Sequence, residues 1–229
     1  GKDRVISMIR WRGDWWSGRQ LREGLPIPVF YCANCGKPIV PDETIEAVSR
    51  LFGEKGSNAW YEMEAEDILP KDFTCPHCGK NGGFTKEEDT LDGWFDSGST
   101  HLASMKKDQG FWPADVYMEG LDQYRGWFQA ALLTAVGSTG VAQAPFTTCL
   151  TPGWTVDGEG KAMHKSLGNG VDPYDIMNKY GADLIRLWAA SADSHADMRC
   201  PEKIFTQPSQ NYLKFRNTPR YCLGHLNGF

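Results

Sequence analysis

Two Cys-x-x-Cys pairs, Cys32/Cys35 and Cys75/Cys78, constrain this chain more than any other feature of its sequence. Each pair can clasp a metal ion from a tight knuckle, helped by the following Gly36 and Gly79, and two knuckles complete a tetrahedral thiolate site. Zinc is favoured over an iron–sulfur cluster because nothing else in the sequence suggests electron transfer. The alternative is a pair of disulfides in a secreted protein. Against it stand Cys149, Cys200 and Cys222, which have no partner motif, and a start, Gly1-Lys2-Asp3-Arg4, that no apolar signal run follows. The expectation is one structural metal site in a reducing compartment, with the cytoplasm as the default. His77, inside the second pair, is read as a spectator.

A chain of 229 residues can form one large domain or two small ones. A hydrophobic fraction of 41% and a charged fraction of 23% are those of an ordinary globular protein. The formal net charge of −5 gives no global attraction to phosphates, so nucleic-acid contacts need local patches or other parts. No segment approaches the roughly 20 apolar residues that span a bilayer, so no membrane partner is expected.

Three stretches follow from composition. Residues 1–90 hold the cysteine pairs and many turn signals, among them Asn81-Gly82-Gly83. Residues 91–200 alternate between strand and helix patterns, and 201–229 read as the start of a helical domain, with helix from about Ser209. In the middle stretch, Ala114–Met118 and Phe146–Thr151 read as strands on either side of a helix from Asp122 to Val136, which Gly137 to Ala144 break. Strand, helix, strand over this length is a crossover unit, and its strands should lie parallel. Glu119-Gly120 and Pro152-Gly153 would then share one sheet edge, where open α/β sheets bind ligands. Asp157-Gly158 suggests a tight turn into a mobile, glycine-flanked loop. Asp172-Pro173 starts a further helix, which Gly181 ends, and Leu184, Ile185, Leu187 and Trp188 mark another.

The most specific string is Glu119-Gly120-Leu121-Asp122-Gln123-Tyr124-Arg125-Gly126-Trp127-Phe128. It resembles the E-G-x-D-Q-x-R-G-W-F segment of isoleucyl-tRNA synthetases. Leu91 to Ser99, Gly160 to Gly168, Gly181 to Trp188 and Arg216-Asn217-Thr218 match that family in the same order, so the resemblance covers essentially the whole chain. It implies an α/β fold: the second half of a Rossmann-type parallel sheet, with a small zinc-ribbon-like module and the start of an α-helical domain. It also implies ATP-dependent activation of isoleucine and transfer to tRNA(Ile), with Mg accompanying ATP. By the same resemblance Glu119, Gly120, Asp122 and Gln123 hold the aminoacyl-adenylate, and Trp94 and Trp127 wall the amino-acid pocket. The chemistry agrees, since a carboxylate accepts from ammonium or ribose hydroxyls and glycine permits close backbone approach. Taken singly, each Trp reads as core, and Glu119 and Asp122 as a strand end and a helix cap.

Lys161-Ala162-Met163-His164-Lys165-Ser166-Leu167-Gly168-Asn169 resembles the family's K-M-S-K-S loop, which implies that Lys165 and Ser166 serve catalysis at the ATP phosphates. The resemblance also puts Gly153 against ATP. A lysine on a glycine-flanked loop can supply positive charge as the loop closes; alone, Lys165 reads as a solvated surface lysine. Several positions depart from the pattern: Ala162 for the first signature lysine, His164 for its first serine, Pro152 for a histidine, Leu121 for a serine. Arg19, Gln20 and Gly24 match the family's I-S-R-Q-R-x-W-G, whereas Leu21 and Glu23 do not. Pro219 falls in the last helical pattern and should kink or end that helix. The family's H-I-G-H motif occurs nowhere in this sequence, nor does its editing domain. The expectation is therefore a fragment, incomplete without an N-terminal catalytic half supplied in cis or in trans, with tRNA contacted largely through other parts. A zinc-containing RNA- or protein-binding module without catalysis is the competing reading. A free-standing dinucleotide enzyme is disfavoured because no G-x-G-x-x-G follows a strand.

Overall fold

The computed structural model describes residues 2–21, 24–106, 110–140 and 143–229, so the expected departure at Glu23 lies outside the described residues. The chain forms two compact units, Gly1–Ala114 with Tyr124–Pro145, and Asp115–Gln123 with Phe146–Phe229.

The first unit opens with α1 (Lys2–Arg10) and β1 (Gly18–Arg19). Strands β2 (Phe30–Cys32), β3 (Pro38–Ile39) and β4 (Phe84–Lys86) form an antiparallel sheet in the order β3–β2–β4. Phe30 lies opposite both Ile39 and Lys86. Helix α2 (Asp42–Lys55) turns Thr44, Val48 and Leu51 inward, residues spaced to share one helical face. Asp42 and Glu43 in its first turn and Lys55 in its last complement the helix dipole. The short α3 (Ala59–Glu62) and α4 (Ala65–Ile68) add Trp60 and Ile68 to the same core. Trp60 is 1% exposed, packs 5.1 Å from the Phe30 ring, and donates its indole N–H to the Glu87 carbonyl at 3.0 Å. Glu66 ties α4 to β4, accepting from the Gly83 and Phe84 amides, both at 3.1 Å.

β5 (Thr90–Leu91) pairs antiparallel with β1. It leads into α5 (Gly93–Thr100) and a π-helical turn, His101–Lys106. α5 packs on α6 (Trp127–Thr139) closely enough that a Cβ at Gly98 would lie 2.8 Å from the Ala130 Cβ. The fully buried His101 meets Thr134 there, its Nε2 lying 3.1 Å from Oγ1.

The expected helix from Asp122 to Val136 is displaced. Leu121–Tyr124 form a 3-10 turn, and the α-helix begins at Trp127 because Gly126 breaks the geometry with φ −103° and ψ −115°. It then continues through Gly137 to Thr139, ending at the left-handed Gly140. A glycine inside a helix costs only about 1 kcal/mol and is tolerated. Of the break expected at Gly137 to Ala144, Val141 and Ala142 lie outside the described residues.

The second unit holds β6 (Ala114–Met118) from Asp115 onward and β7 (Phe146–Leu150), which pair with each other. The Ala114 amide bonds the Pro145 carbonyl and the Glu119 amide the Leu150 carbonyl, so partners advance together as in a parallel pair. β8 (Thr155–Val156) and a later strand, β9 (Met198–Arg199), form a second parallel pair. Between them, α7 (Pro173–Tyr180) and α8 (Ala182–Ser191) build a core of Ile176 and Leu184 with Cys200 and Phe205. Asp172 caps α7, its carboxylate accepting from the Tyr174 amide at 2.8 Å, and Gly181 at φ 89° ends it, as expected. α9 (Thr206–Leu226) runs unbroken past Pro219, so that proline does not end the helix. It removes one backbone bond and leaves the turns on either side intact.

Candidate functional site

The four cysteines of the paired motif come together in the first unit, with all four Sγ atoms within 4.8 Å of one another. Cys32 and Cys78 are 3.7 Å apart, and Cys35 and Cys75 are 3.8 Å apart. These are not disulfides, and all seven cysteines are free. A tetrahedron with metal–sulfur bonds of about 2.3 Å has edges of about 3.8 Å, so the donor set fits zinc. The spacing arises from two matching turns. Gly36 donates to the Cys32 carbonyl at 2.7 Å and Gly79 to the Cys75 carbonyl at 2.8 Å. Both glycines are left-handed, φ 67° and 71°, which explains the Cys-x-x-Cys-Gly pattern.

The thiols are electrically unequal. Cys78 is lowered to about 6 by the Lys80 backbone amide and by the Asn34 side chain, which donates to its sulfur at 3.5 Å. At Cys35 the Lys37 amide pulls downward, but burial and the neighbouring thiols outweigh it and raise the group to about 11. His77 points elsewhere, its Nε2 lying 2.9 Å from the Pro38 carbonyl.

In the same unit, Trp94 lies in the first turn of α5 and is 45% exposed, and Trp127 is the first residue of α6. The Trp127 indole N–H donates to the Ser97 carbonyl at 2.9 Å, one turn beyond Trp94. Ahead of α5, the buried Asp92 carboxylate accepts from Trp15 Nε1 at 2.8 Å and pairs with Arg19 at 3.2 Å. Burial and the Asp92 charge raise the carboxyl of Asp96. Asp92 and Asp96 belong to the string Leu91 to Ser99, where only Trp94 was singled out by sequence.

In the second unit, Glu119-Gly120 directly follow β6, and Pro152-Gly153 follow the parallel β7 after Thr151, so both leave the pair at the same end. Glu119 Oε1 accepts from the Gly120 amide at 2.9 Å, and Gln123 Nε2 donates to Asp122 at 2.8 Å. A Cβ at Gly120 would meet the Asp122 carboxylate at 2.7 Å. At Gly153 the close approach comes from the chain itself, since a Cβ there would lie 2.3 Å from the Ala196 carbonyl oxygen.

Lys165 and Ser166 sit in a short 3-10 turn, Lys165–Leu167, on the exposed face of the 157–169 loop. Lys161 pairs with Glu159 at 2.8 Å, whereas the Lys165 side chain has no ion pair or hydrogen bond among the described residues. Met163 packs into the Ile176/Leu184 core. Two residues whose partnership the sequence did not reveal tie the loop across itself. Asp157 Oδ1 accepts from the Glu159 and Lys161 amides at 2.9 and 2.8 Å, and Oδ2 accepts from Asn169 Nδ2 at 2.8 Å. Asn169 Oδ1 in turn accepts from the His164 amide at 2.9 Å.

Comparison with known proteins adds a second line. Residues 1–201 match the profile of tRNA synthetases class I (I, L, M and V). The whole chain is 51% identical to an isoleucine–tRNA ligase of Thermoanaerobacter sp. (strain X514) and 53% identical to one of Caldanaerobacter subterraneus subsp. tengcongensis. It spans about a quarter of these relatives, 24% of each. A solved ternary complex of Agrobacterium radiobacter K84 agnB2 LeuRS with tRNA and LeuAMS is similar in fold, with TM-score 0.59 and 21% identity over 93% of this chain and 30% of that one.

Proposed function

Since this chain belongs to the class I tRNA synthetases of the I, L, M and V group, we propose that it forms the second half of the catalytic domain of an isoleucine–tRNA ligase, with ATP, isoleucine and tRNA(Ile) as substrates. The observation that carries this reading is 51% identity along the entire chain to an isoleucine–tRNA ligase. Geometry supports it in two places. Glu119 to Gln123 and Gly153 leave parallel strands at one end, where an α/β sheet offers its ligand edge. Lys165 stands unpaired among the described residues on an exposed loop, ready to meet a phosphate.

In this reading Glu119 and Asp122 accept hydrogen bonds from ribose hydroxyls or the amino-acid ammonium, and Gly120 lets the backbone approach the adenylate. Trp94 and Trp127 present flat, rigid walls to a branched aliphatic side chain. Lys165, oriented by the turn that includes Ser166, neutralises charge as pyrophosphate departs, and Mg accompanies the nucleotide. Ala162 removes a second cation from that loop. The sequence holds no H-I-G-H string, so the reaction needs a complementary half. Cys32, Cys35, Cys75 and Cys78 hold one structural zinc. Four protein thiolates leave no open coordination position, so the ion supplies stability rather than Lewis acidity.

The test is binding of non-hydrolysable aminoacyl-adenylate analogues to the chain with its complementary half. The isoleucyl analogue should bind more tightly than the valyl one by about 1–3 kcal/mol, a limit for which isoleucyl-tRNA synthetases are themselves the standard illustration. Equal affinity for isoleucyl and leucyl analogues contradicts the isoleucine assignment. Binding of neither, with zinc retained, favours the non-catalytic zinc module.

A further inference from the structure

An exposed lysine serves phosphate chemistry only if its backbone is held, and hydrophobic burial supplies little of that hold between residues 157 and 169. Within the loop, Met163 reaches the neighbouring core. Val156 forms a bridge with Ala162, and the Asp157 amide donates to the Lys161 carbonyl at 2.9 Å, which closes the first turn. Beyond that turn, two side chains tie the loop across itself. Asp157 gathers the Glu159 and Lys161 amides and the Asn169 amide group onto one carboxylate. Asn169 reaches back across the loop, donating to the Ala162 carbonyl at 3.1 Å and accepting from the His164 amide at 2.9 Å. His164 is the residue before Lys165, and its carbonyl in turn accepts from the Leu167 amide at 3.1 Å.

The geometry points to Asp157 and Asn169 as a positioning pair, a side-chain clamp that closes the 157–169 loop and fixes the backbone that presents Lys165. The proposal rests on the phosphate reading of that loop but extends it to two residues that need not touch the nucleotide. The pairing is directional. Asp157 only accepts, whereas Asn169 both donates and accepts, so exchanging the two residues keeps most of the network. In Asp157→Asn/Asn169→Asp, Asn at 157 still accepts the two amides and donates its own NH₂ across the loop. Asp at 169 still accepts from His164, and only the bond to the Ala162 carbonyl is lost. Asn169→Asp alone sets two carboxylates face to face.

Two readouts test the clamp. Amide hydrogen exchange at Glu159, Lys161 and His164 should quicken about tenfold or more in Asp157→Ala and in Asn169→Asp, and return near the parent rate in the exchanged pair. With the complementary half present, the single variants should lower kcat for isoleucine-dependent pyrophosphate exchange about tenfold while leaving the KM for isoleucine unchanged, and the exchanged pair should recover it. Unchanged amide exchange in Asp157→Ala overturns the clamp without touching the phosphate reading. Full activity in Lys165→Ala overturns the phosphate reading, and the positioning role with it, even where the amides are released.

Discussion

The thiolate module and the 157–169 loop each close a turn-rich segment on itself, by opposite physical means. Around the cysteines, Phe30, Ile39 and Trp60 are at most 1% exposed, and four sulfurs converge on one point. In the loop, hydrogen bonds accepted by one carboxylate and shared by one side-chain amide make the closure, with Met163 as its apolar anchor. Burial, together with the proposed metal ligation, makes a rigid body. Exposed hydrogen bonds, each worth about 0.5–1.5 kcal/mol net, hold a shape that can open and close. The proposed structural centre fits the first arrangement, and the proposed nucleotide loop fits the second.

Metal removal should separate the two regions most sharply. A structural zinc site carries an apparent binding free energy of about 10–16 kcal/mol, much of it folding free energy. A strong chelator, or Cys75→Ser, should therefore unfold Phe30–Lys86, seen as loss of the near-ultraviolet signal of Trp60. Elemental analysis of the untreated protein should give one zinc per chain. Zinc near zero with all four thiols reduced contradicts the assignment.

Core truncation comes next. Trp60→Ala should cost about 3–5 kcal/mol in urea unfolding, because a fully buried indole leaves a large void. A cost under about 1 kcal/mol would show that the metal rather than the core carries the module. In the second unit, Gly153→Ala should cost about 1–3 kcal/mol, since its Cβ would meet the Ala196 backbone rather than a movable side chain. Thermal melts of both variants place these effects on one scale.

The smallest effect is a pH response of the loop. The Asn169 amide group and the Lys161 and Glu159 backbone amides hold the Asp157 carboxyl below the usual carboxylate value. A depressed folded pKa means that its stabilisation is present above the unfolded value and is lost as pH falls through the lower, folded one. The loop should thus stay closed through the ordinary carboxylate range and open only in stronger acid. A carbon-13 titration of the Asp157 carboxyl checks this, and a midpoint at or above the ordinary value contradicts it.

The two regions also differ in how far sequence revealed them. Four cysteines at Cys-x-x-Cys spacing carry their chemistry in residue type, and Gly36 and Gly79 mark the turns that deliver them. The parallel run of β6 and β7 and the Asp172 cap were legible for a similar reason, because each depends on local pattern. The loop was not. Asp157 reads in sequence as a turn residue beside Gly158 and Asn169 as a polar loop residue, and their partnership spans the loop and exists only in three dimensions. The late start of α6 was hidden likewise, since Asp122 to Val136 is helical by composition and only the unusual backbone at Gly126 delays it.

The most direct measurement is isoleucine-dependent exchange of pyrophosphate into ATP. In the proposed reading, this chain supplies adenylate contacts from Glu119 to Gln123 and one phosphate cation, Lys165, while its sequence holds no H-I-G-H segment and has Ala162 in place of a second cation. Losing one preorganised contact of this kind costs about 10²–10³ in rate. The chain alone should therefore show no detectable exchange. Adding the complementary half in trans should restore some, Ala162→Lys should raise it, and Lys165→Ala should abolish it. Robust exchange by the isolated chain would contradict the account, since the complementary half would then be dispensable and the active site misplaced.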